Sequence, residues 1–547
     1  MGFFNLAESN IALSLKKLLS NKYLPIFCLI IAIINKSLIA NIYSDLEGDK
    51  SIYLLFSANF LEQKQFLEPI SFIENEQTYF RFNPAINSPF YSFLAIPLLQ
   101  ITNSFSKTAI IIDILSWIIF LTGLYKLSTL IFKDSAISSL LILCAGFFIY
   151  PHEIQSTPKD TLAIGILLWS VYFTCSFIRH KSPGILLTLM LSLLFTALAL
   201  TKYLYFPLVL VFLLILLFYS VILKSKRHFL LAIVASVLNF GVLWLVLSSL
   251  SNQDQTNLNL TLIQNPVKEF TKGFYPENII STFPFISSSF INVNFWGVQL
   301  ASILKSSYSS ISKSFNILDL VILGFLLAGL GWIRKQMSKE AKPVFFIMLI
   351  ISIAILGMLV YMSVSFKGVQ YIGRDSLWTY VSEPRSYLFI IVFLQLLLFY
   401  LILKTNLNPL LKNFLFLLFV IECAHGLYFT IKQTSQKEMI QKQLVENSSN
   451  KNIVAYTNYL SEKNKGKEVR LITNDNHLHW YSLLHSIKSY TFSNNTNCNA
   501  FNFKSNSILV FATYEGHPFP AEKCMENYEL MNLENLPPFI IKVYKIQ

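Results

Sequence analysis

Apolar runs near twenty residues long alternate with short polar segments along most of this chain. They lie at 24–40, 108–132, 136–150, 161–178, 184–200, 205–223, 229–249, 317–333, 343–364, 387–403 and 414–431. A hydrocarbon core about 30 Å thick is crossed by roughly 20 apolar residues in helical form, so these runs predict eleven spans. They are continuous rather than alternating every second position. That predicts helices and excludes a barrel. One more apolar stretch, 88–101, carries Pro89 and Pro97 and is too short to cross. It predicts a re-entrant or interfacial helix inside a long loop.

The pattern changes after the last run. In the polar segment 432–547, the stretches 468–473 and 507–513 read as short buried strands, 477–487 as a helix between them and 539–546 as a last strand. Strand-helix-strand order predicts a small α/β module. It has no Gly-rich loop to cradle a phosphate. The expected architecture is therefore an α-helical polytopic membrane domain over 1–431 followed by a soluble α/β domain over 432–547.

Composition supports this and charge orients it. Of 547 residues, 54% are hydrophobic and 13% charged, against about 25% charged in soluble proteins. The net charge of +13 does not point to nucleic acid, because Lys and Arg concentrate in short loops between apolar runs. Such bias marks the cytoplasmic side. Lys16, Lys17 and Lys22 precede the first run without a cleavage site, which reads as a signal anchor with a cytoplasmic N-terminus. With 88–101 held out of the count, the basic clusters at 179–181 and 224–227 also fall in the cytoplasm. The loops 42–107, 151–160, 249–316 and 365–386, and the tail, are then extracytoplasmic, as in a bacterial inner-membrane protein. The six Cys show no metal-ligand spacing. Cys28, Cys144, Cys175 and Cys423 lie in apolar runs, while Cys498 and Cys524 could form a disulfide outside the cytoplasm. His152 and His425 have no ligand companions and read as structural.

Chemistry collects on the extracytoplasmic side. Asp45, Glu47 and Asp49 follow the first span directly. Carboxylates are tolerated at the bilayer edge, and partial desolvation raises their pKa toward that of a general base. They could instead hold a divalent cation such as Mg or Mn, through Asp45 and Asp49, or be a solvated acidic loop. Glu153 and Asp160 flank Pro158 in the next short outer loop, where Asp160 could equally serve as an ordinary acidic helix start. Lys202, Arg374 and Arg385 are cations on the side where orientation does not require them. They suit a lipid phosphate, or they snorkel to headgroups. Aromatic residues, Tyr53 among them, line the outer loops. An interfacial belt accounts for most of these, with sugar stacking open for one or two.

Several motifs together resemble the GT-C superfamily of polyprenyl-phosphate-sugar glycosyltransferases, such as protein O-mannosyltransferases and aminoarabinose transferases. They are Gly48-Asp49 followed by Tyr53, the proline-bearing stretch from Asn83-Pro84 to Pro97-Leu98, a second outer acid before the fourth span, and Ala199-Leu200-Thr201-Lys202. The resemblance covers roughly the first 230 residues, with Glu383-Pro384-Arg385 and Tyr387 as a weaker match further on. It implies transfer of a hexosyl or pentosyl group from a polyprenyl-phosphate donor to a hydroxyl of a lipid, glycan or protein, with inversion. It also implies roles: Asp49 as general base, with Asp45 or Glu47 as substitutes, and Asp160 or Glu153 orienting the acceptor. Lys202 and Arg385 would steady the departing phosphate, with Arg374, Tyr53 and Tyr387 in the substrate region. Members differ in their need for a divalent metal.

Two other classes compete. A transporter or lipid flippase would place ionisable groups at the bilayer midplane beside broken helices in repeated halves. Here the acids cluster at one membrane face, the spans are almost charge-free and no repeat is visible. A non-catalytic scaffold leaves the outer acids and cations without a role.

Overall fold

The computed structural model describes residues 23–42, 49–63, 69–71, 78–80, 89–147, 158–202, 205–251, 334, 337–365, 388–404, 408–438, 449–491, 507–514, 528–536 and 539–546. In chain order the helices of the membrane region are α1 Leu24–Ile42, α2 Asp49–Gln63, α3 Phe90–Thr102, α4 Phe105–Phe132, α5 Ser135–Phe147 and α6 Pro158–Arg179, then α7 Ile185–Thr201, α8 Phe206–Ile222, α9 Lys226–Ser251, α10 Ala341–Ser365, α11 Leu388–Lys404 and α12 Pro409–Ser435. Strands β1 Pro69–Ser71 and β2 Thr78–Phe80 pair antiparallel between α2 and α3. The tail contains α13 Ser449–Lys463, β3 Glu468–Thr473, α14 Asn476–Leu484, β4 Ser489–Thr491, β5 Ser507–Tyr514, β6 Tyr528–Leu536 and β7 Phe539–Ile546.

Helices stand where the apolar runs predict them, apart from 317–333, which lies outside the described residues. Among the described residues, five helices are long and apolar enough to cross a membrane by length and composition alone. The stretch 88–101 forms α3, which has 13 residues with Pro97 inside it. At 1.5 Å per residue it is about 20 Å long, well short of a bilayer core. It stops at Asn103, a left-handed cap (φ 47°) whose N–H bonds Leu99 O. Asn tolerates that conformation.

The chain divides into two compact units. The first comprises Met1–Ala40, Asp113–Leu245 and Asn259–Lys432. Within it α6 packs against α7, α8 and α10, and α10 also meets α8 and α11. Lipid tails give apolar helices no hydrophobic drive to associate, so small residues and polar bonds set close approaches. Asn35 donates from Nδ2 to Gly146 O at 2.7 Å, fixing α1 against α5. Trp169 Nε1 donates to Ile119 O at 3.1 Å, fixing α6 against α4. Asn239 Nδ2 reaches Thr196 Oγ1 at 2.9 Å, and Ser192 Oγ reaches Ala235 O at 3.1 Å, joining α7 to α9. The basic helix ends are stitched together as well. Lys133 pairs with Glu340 at 2.7 Å, Arg179 donates to Glu340 O, and Arg227 Nε donates to Pro183 O at 3.1 Å.

A Cβ on Gly146 would lie 2.4 Å from Ala32 Cβ and 2.7 Å from Ala32 Cα. Real Cβ atoms do not come that close, so α1 and α5 must separate. Gly146→Val is expected to destabilise the protein by about 1–3 kcal/mol, as overpacking does. A thermal melt of the purified protein in detergent checks this, with a midpoint several degrees lower as the expected result.

The second unit comprises Asn41–Ile112, Val246–Leu258 and Gln433–Gln547. Its five-stranded sheet has the order β4-β3-β5-β7-β6. β4, β3 and β5 run parallel, while β7 and β6 are antiparallel to their neighbours. The strands 468–473, 507–513 and 539–546 and the helix at 477–487 are present as the sequence predicts, the helix ending slightly earlier. Asp475 caps α14 by accepting from Leu478 N at 2.6 Å. Alternation along β3 and β5 puts Leu471, Ile508, Val510 and Ala512 into a core shared with Leu478 and Ile453. Cys498 and Cys524 lie outside the described residues.

On the other parity of β3, Arg470 is buried and bonds Glu468 at 2.7 Å, and Lys488 bonds the same carboxylate. Lys488 and then Arg470 hold the Glu468 carboxyl below its ordinary value. The resulting stability is fully present above the unfolded carboxylate pKa, about 4.3, and is lost as pH falls through the lower folded value. Melting curves from neutral pH down through this window are expected to show an acid-side decline that Glu468→Gln flattens.

Candidate functional site

α6 begins at Pro158, a residue suited to the first turn because an N–H there would have no helical partner. Asp160 lies in that first turn, where a carboxylate complements the helix dipole. Only a short turn joins α6 to α7, so the two run as antiparallel neighbours and the end of α7 returns beside the start of α6. α7 ends at Thr201. Lys202 caps it in extended conformation (φ −153°, ψ 114°), with its N–H bonded to Leu198 O. Lys202 O then accepts from Tyr205 N at 2.8 Å, and α8 follows with a proline in its first turn.

This connection brings two distant side chains together. Lys202 Nζ donates to Asp160 Oδ1 at 2.5 Å. The Asp160 side chain is 2% exposed and that of Lys202 19%. The ammonium also sits 5.7 Å from the centre of the Tyr205 ring, whose residue is buried. An ammonium has three donors, so one bond to Asp160 leaves capacity for an anion. Asp160 then acts as the compensating charge that allows a cation to stand at a largely buried position.

Asp49 is the first residue of α2. Tyr53 lies one turn further along, 2% exposed, with its ring 5.5 Å from that of Tyr91 on α3. Asp45, Glu47, Glu153, Arg374, Arg385 and Tyr387 lie outside the described residues. The Mg or Mn option of the sequence rests on Asp45 and Asp49. Among the described residues, no three His, Cys, Asp or Glu side chains gather as a cation site.

The apolar runs hide further charged residues. Lys36 on α1 is 3% exposed, with its ammonium 4.6 Å from the centre of the Trp117 ring. Asp113 is buried one turn before Trp117, on the same face of α4, and Glu422 is buried on α12. Ionisable groups inside spans are costly and signal function or pairing. The signal was present in the sequence, as a lysine and two acids inside otherwise apolar runs.

No protein-family model and no curated protein sequence matches this chain. Among solved structures, the crystal structure of ArnT from Cupriavidus metallidurans bound to undecaprenyl phosphate matches 98% of this chain and 98% of that one, with a TM-score of 0.53 and 12% identity. The apo state of the same ArnT matches over 97% and 98%, with a TM-score of 0.42 and 11% identity. The chain thus has a GT-C-like fold, mostly helical and polytopic with a small C-terminal sheet domain, and is an integral membrane protein.

Proposed function

We propose that this chain is a membrane glycosyltransferase that moves a sugar from a polyprenyl-phosphate donor to an acceptor hydroxyl on the extracytoplasmic face of a bacterial inner membrane. The observation that carries the reading is the Lys202–Asp160 pair, a cation held at the end of a helix by a buried carboxylate. It occurs in a fold shared with ArnT, one crystal structure of which is bound to undecaprenyl phosphate.

In this reading the acceptor oxygen attacks the anomeric carbon. The bond from that carbon to the phosphate oxygen breaks as the new glycosidic bond forms, so configuration inverts. Asp49 takes the hydroxyl proton, with Asp45 or Glu47 as substitutes in the same segment. The electron pair leaves with the polyprenyl phosphate. Lys202, assisted by Arg385 and Arg374, stabilises the charge that develops there, usually the largest contribution to such transfers. Asp160 or Glu153 orients the acceptor. The acceptor is a lipid, glycan or protein hydroxyl.

The deciding experiment supplies a labelled polyprenyl-phosphate sugar to membranes containing the full-length protein. Transfer to an endogenous acceptor supports the proposal, and its absence with every common donor sinks it. A transporter or lipid flippase is the second reading, favoured by buried Lys36, Asp113 and Glu422 within the helices. Movement of a fluorescent lipid-linked sugar across reconstituted vesicles without transfer would select it.

A further inference from the structure

Every residue of α2 from Lys50 to Ser57 is buried. A helix covered by one neighbour buries a single stripe, so this one needs cover on more than one side. One cover is α3. Ser57 Oγ donates to Ser92 O and Ser92 Oγ to Tyr53 O, both at 3.0 Å, and the rings of Tyr53 and Tyr91 meet. Helical spacing puts Tyr53, Ser57 and Phe60 on that face and Leu55 on the opposite one.

The second cover comes from the tail. α14 packs against α2. Ile52, Leu55 and Phe56 belong to one apolar core with Leu478, Trp480 and Tyr481. The orientation of α14 is fixed by the sheet, since His479 Nδ1 meets Ser489 Oγ of β4 at 2.9 Å. Leu478, His479 and Ser482 therefore face the strands. Trp480 and Leu484, one turn apart, lie on the side away from them. Trp480 is nevertheless only 9% exposed. Both α2 and α13 pack against α14, and a large ring that points away from its own sheet and stays covered is suited to anchor such a contact.

We propose that the tail domain positions α2, with Trp480 as the anchor, and that its functional load is the placement of Asp49 at the first residue of that helix. The link to Asp49 rests on the reading of Asp49 as general base. Trp480 is a positioning residue, since it acts only through α2. Rigid support matters because small misplacements of a reacting group lower rates by about a hundredfold.

The test uses full-length protein in nanodiscs and compares the parent, Trp480→Ala, Trp480→Phe and the milder Leu484→Ala on the same face. Amide hydrogen exchange over 50–63 reports on α2, and transfer from a labelled polyprenyl-phosphate sugar gives kcat and KM. In Trp480→Ala, exchange of α2 is expected to rise about tenfold and kcat to fall about 10- to 100-fold, with donor KM nearly unchanged, the pattern of a group acting in the transition state. Trp480→Phe restores most of both, and Leu484→Ala gives a smaller effect of the same kind, which keeps the test open if Trp480→Ala fails to fold. Unchanged α2 exchange, or loosened α2 with parental kcat, overturns the proposal. A parent with no transfer activity sinks the functional reading instead, and the exchange measurement alone then decides whether Trp480 holds α2.

Discussion

Asp49→Asn will lower sugar transfer by about a thousandfold, with donor KM changed little and protein yield unaffected. A positioned general base contributes on the order of 10²–10⁴ in rate, and the amide cannot accept the proton. The substitution is nearly isosteric, and Asn is an acceptable residue at the start of a helix, so α2 should still form. The measurement is single-turnover transfer at several pH values. Parental activity in Asp49→Asn would move the base to Asp45 or Glu47, and the same substitution at each would then locate it.

Removing the ammonium at Lys202 should harm stability and catalysis by separate routes. Lys202→Met leaves the Asp160 carboxylate buried without the cation 2.5 Å away. Breaking one side of a buried pair typically costs about 3–5 kcal/mol. It also removes positive charge from the leaving phosphate, worth about 10²–10³ in rate by analogy with other donors that meet developing negative charge. The double variant Lys202→Met with Asp160→Asn separates the two effects. Its melting temperature should recover toward the parent, since the buried carboxylate charge is removed together with the cation, while transfer stays low. A double variant that transfers like the parent would show that the pair only holds α6 to α7. Melting curves and kcat on the same preparations give both readings.

The membrane helices were legible because an unbroken run of about twenty apolar residues has the length of a helical span and is far too long for a buried strand. Their boundaries fell within a few residues. α2 was not legible. Ser51, Ser57, Asn59 and Glu62 make it too polar to be a span, and its burial depends on α3 and on α14, far away in sequence. β6 was missed for a related reason. It is an edge strand with Glu and Asn among its apolar residues, exposed Leu530 and Met531, and a register shift between Leu530 and Asn532. Such strands carry no clean alternation. At the candidate site, Asp160 and Lys202 were each visible as charges beside spans. Their bond was not, because it depends on α6 and α7 running as antiparallel neighbours. Lys36 and Asp113 were visible too, but only as exceptions within runs read for their apolar majority.

The shared core of α2 and α14 has a consequence during translation. The ribosome makes α2 early and α14 only after the whole series of membrane helices. At about 5–20 residues per second, the nascent first loop waits on the order of half a minute for the segment that completes it. Through that interval its apolar side is open to chaperones and proteases. A message truncated before Leu478 would yield a membrane-inserted chain whose first loop never closes, marking it for quality control despite a full set of spans.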